Sequence, residues 1–393
     1  MNHVGIKHPV KEWNGDKTYD WEFFNQSQIN MWESCRYDEE KYWGGFPKHA
    51  LPDDWKWPEW CVGPFVKHPG NPIFRPDPNG WDCGNFGGGV RNGSVFKKDG
   101  KIYYLYRGEF RVKDSEKIPE FEKFVVDYQC DIGLAVSEDG GFTFQRAGGP
   151  FFKDALGDVY GSFEDVCCVK YENRYYMYMT RWDFRNAQTS ADPSRCGVAL
   201  AVSDDLINWD YKGLVFPGAK CIHRNACVLQ DENNNAARDS DGRFVMYLNN
   251  GLIAFSEDLL HWDSNVVVFS WPGGEGCFAL CGHDPKRPKD IVLFTGGSHT
   301  GHFYAIGEVL LSMDDPARCR EVLPSPVLCA GADIPYEMGY AAEPPHHPVS
   351  YWRDSVFFTG LTRVGNRYHI HYTGSEYYTS MAFAPAKRYP TAL

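Results

Sequence analysis

A strand-like segment that recurs along the chain is the strongest constraint on what this sequence folds into. Each copy follows a turn, is rich in aromatic and branched apolar residues, and ends in a polar residue, as β-strands often do. The copies are residues 101–107, 174–181, 243–249, 290–295 and 367–373. This recurrence predicts one supersecondary unit that is used repeatedly.

A second strand-like segment follows each copy. It is clearest at residues 132–140, 197–206 and 251–259, and looser at 306–312 and 381–384. In the clear cases it runs into a Ser-acid-Asp turn and then an aromatic residue, which is Phe142, Trp209 or Trp262. We interpret the two segments as neighbouring strands of a four-stranded antiparallel sheet, with about 61 residues for each of five sheets between residues 80 and 385.

A sheet of that size cannot bury both faces alone, so the units must stack on one another. Radial closure is the usual solution because it also protects the strand edges. We therefore predict an all-β fold, a five-bladed β-propeller over residues 76–393. An irregular β-sandwich with chance similarity among its strands is the alternative.

Residues 1–75 do not fit the repeat. They contain seven of the 13 Trp residues. We interpret them as an N-terminal, aromatic-rich extension that packs on the propeller with its rings as core. A wall of a sugar site or a subunit contact are the alternatives, because indole faces suit both.

Charge and composition exclude several classes of partner. The net charge is -12 and no basic block is present, so nucleic acid is not an expected partner. No apolar run reaches the ~18 residues that cross a bilayer and the first residues lack a secretory signal, so we expect a cytoplasmic protein without membrane contact. The 13 Cys residues lack the paired spacing of a zinc site, and adjacent histidines point apart in an extended chain, so no metal or other cofactor is predicted.

Glu164 and Asp165 are the acidic residues that attract attention, because two carboxylates precede an apolar strand there. Neighbouring residues of a strand point to opposite faces, so one of them can face a central channel while the other orients it or pairs with an arginine. A carboxylic acid among apolar groups keeps its proton toward neutral pH and can protonate a departing oxygen. A solvated turn pair is the alternative.

Several motifs in a fixed order resemble glycoside hydrolase family 130 across about residues 68–385. They are residues 71–73, 90–95, 103–109, 133–140, 163–165, 256–262, 306–316, 336–339 and 356–361. The resemblance implies a five-bladed propeller that acts on β-mannosides with inversion, by phosphorolysis or by hydrolysis. Each motif is short, and their order makes the match specific.

The resemblance also implies roles for individual residues. Asp165 matches the general acid. Glu376 falls where the family usually has Asp, and the pair Arg224-Asn225 falls where Lys-Asp is common. The positions assigned to substrate binding are Asn92, Ser94, Arg107, Glu164, Arg224, Asn225 and Glu376.

Departures from the family pattern bear on the reaction. Phosphorylases of the family have a His-Arg pair where this chain has Leu248-Asn249-Asn250, and fixed cations are what phosphate binding needs. Glu275 stands near the carboxylate with which hydrolytic members activate water. Hydrolysis is therefore slightly preferred, with Glu275 as the candidate base. A solvated loop acid at Glu275, or a base at Glu337, Glu343 or Asp183, remains open.

Two further functions stay open. The first is a phosphorylase in which inorganic phosphate, held by Arg181, Arg195 or Arg224, is the co-substrate and a sugar 1-phosphate such as mannose 1-phosphate is released. The second is a sugar-binding propeller that has lost catalysis. An oligosaccharide is the expected partner in every case. A homo-oligomer is compatible with the family, but no interface is specified by the sequence.

Overall fold

The computed structural model describes residues 56–83, 89–109, 130–152, 161–183, 196–218, 223–263, 267–268, 275–299, 302–323, 326–339 and 354–386. Within these ranges the chain is all-β, as predicted, with a turn of 3-10 helix at Asn249–Gly251. Most of the predicted extension, residues 1–55, lies outside the described residues.

The strands form antiparallel sets of four. The first set is β2 (Val90–Lys98), β3 (Lys101–Glu109), β4 (Cys130–Ser137) and β5 (Gln145–Gly148), paired in that order. The second set is β6 (Gly161–Tyr171), β7 (Arg174–Asp183), β8 (Cys196–Ser203) and β9 (Asp210–Leu214), also paired in order. Their hairpins use turn residues with positive φ, for example Asp99 (φ 51°) followed by Gly100 (φ 78°).

An eight-stranded sheet contains the third and fourth sets. The third is β10 (Cys227–Gln230), β11 (Phe244–Tyr247), β12 (Leu252–Ser256) and β13 (Val267–Val268); the fourth is β14 (Glu275–Cys281), β15 (Asp290–His299), β16 (His302–Ser312) and β17 (Glu321–Val322). Parallel pairing of β10 with β14 joins the two sets.

The fifth set combines distant parts of the chain. It consists of β18 (Val356–Val364), β19 (Arg367–Gly374), β20 (Tyr378–Pro385) and, at its outer edge, β1 (Val66–Lys67). Val66 pairs with Phe383, and Phe74 forms an isolated bridge with Thr379. The predicted boundary after residue 75 therefore follows a strand that belongs to this set.

The repeated segments of the sequence are the second and third strands of the sets, from β3 and β4 to β19 and β20. Contacts between sets run instead through the first strands, since β2 contacts β6, β6 contacts β10, and β14 contacts β18. β18 contacts β2 in turn. A Cβ on Gly360 of β18 would lie only 2.6 Å from the backbone nitrogen of Val95 in β2.

Apolar side chains fill the spaces between neighbouring sets. Phe358 of the fifth set lies 5.2 Å, between ring centroids, from both Phe278 and Phe294 of the fourth. Trp60 is buried in the same cluster, so this part of the Trp-rich segment contributes to the core. Each buried ring of this size stabilises the fold by roughly 1.5–3 kcal/mol.

The turn after β10 covers one end of the first strands. Asn234 accepts a hydrogen bond from Lys170 N of β6 through its carbonyl oxygen (2.9 Å) and one from Lys97 N of β2 through Oδ1 (3.4 Å). Arg363 of β18 donates to Glu232 at 2.8 Å. The residues held by this turn, Lys97, Lys170 and Arg363, lie near the ends of their strands. The turn therefore covers that end of the first strands, and a site can form at the opposite end, where these strands begin.

In the part of the chain that the structure describes, no helix has the length and apolarity required to cross a membrane.

Candidate active site

Three site residues stand at irregular positions of the first strands. Asn92 (φ 40°), Asp165 (φ 51°) and Asn225 (φ 51°) all have left-handed backbone, which Asn and Asp tolerate better than most residues. The pairing register shifts around Asn92 in β2 and around Asp165 in β6, and Asn225 directly precedes β10. A bulge of this kind re-aims a side chain, so the three residues occupy corresponding positions in the first three sets.

Five of the predicted site residues are brought together around Asn92. Its Nδ2 donates to Glu376 Oε1 at 3.1 Å and lies 3.5 Å from Asp165 Oδ1. Arg107 pairs with Glu164 at 2.8 Å and with Glu376 at 3.5 Å. Asn92 and Arg107 belong to the first set, Asp165 to the second, and Glu376 to the turn between β19 and β20 of the fifth, so residues of three sets meet here.

The environment of Asp165 favours its protonated form. Burial raises the pKa of this carboxyl well above its usual range, and the negative charges of Glu164 and Glu275 raise it further. Arg107 and Arg224 oppose the shift but do not reverse it. The half-buried Asp165 is thus a carboxylic acid suited to donating a proton.

Glu275 is the centre of a second group. Its carboxylate pairs with Arg224 at 2.6 Å, accepts a hydrogen bond from Tyr304 Oη at 2.9 Å and accepts another from Asn225 Nδ2. Only 8% of the residue is exposed. Asn225 links this group to the first, because its backbone N donates to Thr180, which is paired with Glu164 between β6 and β7. Glu275 is therefore a buried, fixed carboxylate rather than the solvated loop acid of the alternative interpretation.

The loop before β10 is held from two sides. Asn249 Oδ1 accepts a hydrogen bond from Arg224 N at 3.0 Å, and Asn249 N donates to Arg224 O at 3.0 Å. Thr180 Oγ1 accepts one from Asn225 N at 3.1 Å. Asn249 thus positions the backbone of Arg224.

Two predicted binders have other placements, and a third is not among the described residues. Ser94 Oγ accepts a hydrogen bond from Cys168 N at 3.1 Å, so it ties β2 to β6. Arg181 is half-buried on β7, opposite Phe163 of β6. Arg195 lies outside the described residues.

The competing candidate bases differ in what surrounds them. Glu337 is fully buried, pairs with Lys67 and accepts hydrogen bonds from Tyr372 Oη (2.7 Å) and Gly331 N (2.7 Å). It therefore ties the loop at residues 331–339 to β1 and β19. Glu343 and the side chain of Asp183 lie outside the part of the chain that the structure describes.

Three residues around the site were missed in the sequence. Arg91 pairs with Glu376 at 2.5 Å, Tyr304 donates to Glu275, and the Trp182 indole N–H donates to Glu164. For Arg91 a signal exists, because Arg91-Asn92-Gly93-Ser94 and Arg224-Asn225-Ala226-Cys227 share one pattern, and each lies where the first strand of its set begins. Nothing in the local sequence marks Tyr304 or Trp182.

Known proteins resemble the chain over most of its length. No protein-family model matches it. It is 25% identical to a 1,2-β-oligomannan phosphorylase of Thermoanaerobacter sp. (strain X514), over 76% of this chain and 90% of the relative. A β-1,2-mannobiose phosphorylase of the same organism is 26% identical, over 75% of this chain and 89% of the relative.

The chain has the same fold as a solved structure from the GH130 family of mannoside phosphorylases. That structure comes from work on glycoside hydrolases that target β-1,2 mannosidic linkages in Candida mannan. Its TM-score is 0.64 at 22% identity, and the match covers 88% of this chain and 100% of that chain. The resemblance that the sequence motifs indicated is confirmed by these relatives.

Proposed function

We infer that the chain is a divergent member of glycoside hydrolase family 130, and we propose that it cleaves β-mannosidic linkages with inversion, with Asp165 as the general acid. The observation that carries the proposal is the raised pKa of Asp165 beside a cluster of polar groups suited to a sugar, Asn92, Arg107 and Glu376. A neutral acid there protonates the glycosidic oxygen as the bond to the anomeric carbon breaks.

Inorganic phosphate is the first candidate for the group that attacks the anomeric carbon. Both curated relatives are phosphorylases, which reverses the order of preference taken from the sequence. In this reaction a phosphate oxygen bonds to the anomeric carbon, the glycosidic bond breaks, and the proton of Asp165 goes to the leaving sugar. The products are an α-mannose 1-phosphate and a shortened saccharide, and Arg224, Arg181 and Arg195 are the proposed phosphate ligands.

Water is the second candidate, and Glu275 favours it. This carboxylate already neutralises Arg224, the buried cation nearest to it, and repels a phosphate dianion. In hydrolysis Glu275 takes the proton of the attacking water while Asp165 gives its own to the leaving oxygen, as inverting glycosidases do. The product is free α-mannose.

The proposed fold is a five-bladed β-propeller over residues 76–393, with the preceding residues packed on it. The cyclic contacts of the first strands, in which β18 contacts β2, support it. The site then lies at the end of the central channel opposite the turn after β10.

The decisive experiment follows the products of β-1,2- and β-1,4-mannobiose by NMR, with and without phosphate. We expect α-mannose 1-phosphate only when phosphate is present. Asp165→Asn should lower turnover by about 10²–10⁴-fold, whereas Glu138→Gln, a change in an exposed ion pair with Lys101, should not.

Glu275→Gln separates the two reactions. If phosphate is the nucleophile, this variant keeps or gains activity, because a repelling charge is removed. If water is the nucleophile, release of free mannose without phosphate is seen in the wild type and is lost in Glu275→Gln. Binding of mannosides without turnover, unchanged in Asp165→Asn, would instead identify a non-catalytic sugar-binding protein.

A further inference from the structure

The hairpin that carries Glu376 ends in an unusual turn. Tyr377 N donates to Gly374 O at 3.0 Å, which closes a β-turn with Ser375 and Glu376 at its centre. These residues have φ values of 40° and 66°. Positive φ at both central positions is the type I′ geometry, for which Asn and Gly are the usual residues. With Ser and Glu there, the turn depends on contacts that hold it.

Arg91 supplies two such contacts to Glu376. Its Nη1 donates to the backbone oxygen of Glu376 at 2.6 Å, and its Nε lies 2.5 Å from Glu376 Oε2. The third nitrogen, Nη2, pairs with Glu109 of β3. Arg91 itself is only 2% exposed. A planar guanidinium can serve three acceptors at once, which a lysine ammonium on a single stem cannot do in the same geometry.

The backbone beside Arg91 is shaped for this contact. A Cβ on Gly89 would overlap Nη1 of Arg91 and lie 2.8 Å from the carbonyl oxygen of Glu376. Glycine at position 89 thus leaves the space in which the guanidinium and the turn meet. A methyl group there displaces Arg91 without changing any charge.

We propose that Arg91 is a positioning residue that fixes the backbone and the carboxylate of Glu376 for sugar binding. The fixed carboxylate of Glu376 accepts the hydrogen bond from Asn92 with Oε1, and its Oε2 lies against Arg107. Glu376 is 19% exposed at its side chain, so it remains open to a ligand while Arg91 is buried behind it. This inference rests on the proposed function, in which Glu376 binds sugar hydroxyls.

The test compares Arg91→Lys, Arg91→Met and Gly89→Ala with the wild type, using β-1,2-mannobiose. We expect KM to rise by about 10- to 100-fold in each variant, while kcat changes by less than about threefold because Asp165 is untouched. Arg146→Met is the matched control, since Arg146 pairs with the buried carboxylate of Asp82 outside the site. Its KM should equal that of the wild type.

Further measurements separate positioning from folding. Gly89→Ala keeps every charged group, so it remains informative if Arg91→Met does not fold. The double variant of Arg91→Met with Glu376→Gln should raise KM no more than Glu376→Gln alone, because Arg91 acts through Glu376. An unchanged KM in both Arg91→Lys and Gly89→Ala, or additive effects in the double variant, would overturn the role of Arg91.

Direct calorimetric binding of β-1,2-mannobiose keeps the two proposals apart. A wild-type protein that binds and cleaves the disaccharide, with variants that bind it equally well, contradicts the role of Arg91 alone. A wild-type protein that binds without cleaving contradicts the proposed catalysis, and Arg91 is then judged from the affinities. A wild-type protein that does neither with any β-mannoside overturns the proposed function and, with it, the role of Arg91.

Discussion

At the scale of single residues, the chemistry depends on how the charges around Asp165 balance. Burial raises the pKa of this carboxyl, whereas the charges of Arg107 and Arg224 lower it. Each arginine is itself paired with a glutamate. The pKa of Asp165 therefore depends on several charged groups around it, and replacing one of them shifts that pKa.

The first prediction concerns the alkaline side of the pH–rate profile. Asp165 must be protonated to act as an acid, so kcat/KM falls as pH rises through its pKa. Arg107→Met removes a charge that lowers this pKa, so the alkaline limb should move to higher pH even though the rate itself falls. Initial rates in a buffer series will measure the limb. A limb that stays in place in Arg107→Met, as we expect for Arg146→Met, would contradict this account of Asp165.

The second prediction is a gain of stability in Asp165→Asn. The native state holds a proton that the unfolded chain releases above a pKa of about 3.9. Between that value and the higher native pKa, the stability contributed by Asp165 falls as pH rises. At pH 7 a neutral asparagine removes this loss, so the urea midpoint should be higher than in the wild type. At pH 3.5 the two should agree. A lower midpoint at pH 7 would mean that Asp165 is ionised in the folded protein.

At the scale of elements, the first strands combine two tasks. Each is buried against its neighbours, and several contain a register shift near their beginning, as in β2, β6, β14 and β18. A bulge takes the strand out of regular pairing and turns polar side chains toward the site. β18 approaches β2 closely at Gly360.

The third prediction tests that approach. Gly360→Ala places a methyl group 2.6 Å from both Cβ and N of Val95, and the backbone atom cannot move aside cheaply. We expect destabilisation by about 2–4 kcal/mol in urea unfolding. Gly197→Ala is the control, because its nearest neighbour is the flexible end of Leu214. Equal stability of the two variants would argue against tight packing of β18 on β2.

The sequence predicts those strands and site residues whose pattern lies within a short stretch of the chain. The second and third strands were found because their tyrosines and branched residues alternate and repeat. The first strand β10 is only four residues long and buried throughout, so it lacks alternation and was not recognised, whereas the apolar strand that follows Asp165 was. Asp165 and Asn92 were found through motifs. The contact of Arg91 with Glu376 joins residues 285 positions apart, and only the assembled fold brings them together.

At the scale of the whole molecule, stability should have limits on both sides of neutral pH. Asp165 lowers the free energy of unfolding as the pH rises. His371 of β19 acts in the opposite sense, because burial lowers its pKa to about 4 while its Nε2 lies 3.2 Å from Gly141 O of the first set. A neutral imidazole donates from Nε2 to this carbonyl oxygen, and the neighbouring His369 lowers the pKa further.

The fourth prediction follows from this histidine. Because its folded pKa lies below the ordinary value of about 6.5, the stability it contributes is present above pH 6.5 and lost as pH falls toward 4, by up to about 3 kcal/mol. His371→Gln keeps a donor for Gly141 and cannot be protonated. Its melting temperature should fall less steeply than that of the wild type between pH 6.5 and 4. Parallel curves would show that His371 is not the acid-sensitive group.

The pairing of β1 with β20 has a consequence for biosynthesis. About 310 residues separate the two strands, and a ribosome adding 5–20 residues per second needs roughly 15–60 s to make them. During that time Val66 and Phe74 lack β20, with which they pair in the folded protein. The fifth sheet is thus the last to be completed on a nascent chain, and the interval before it forms is when protection by a chaperone matters most.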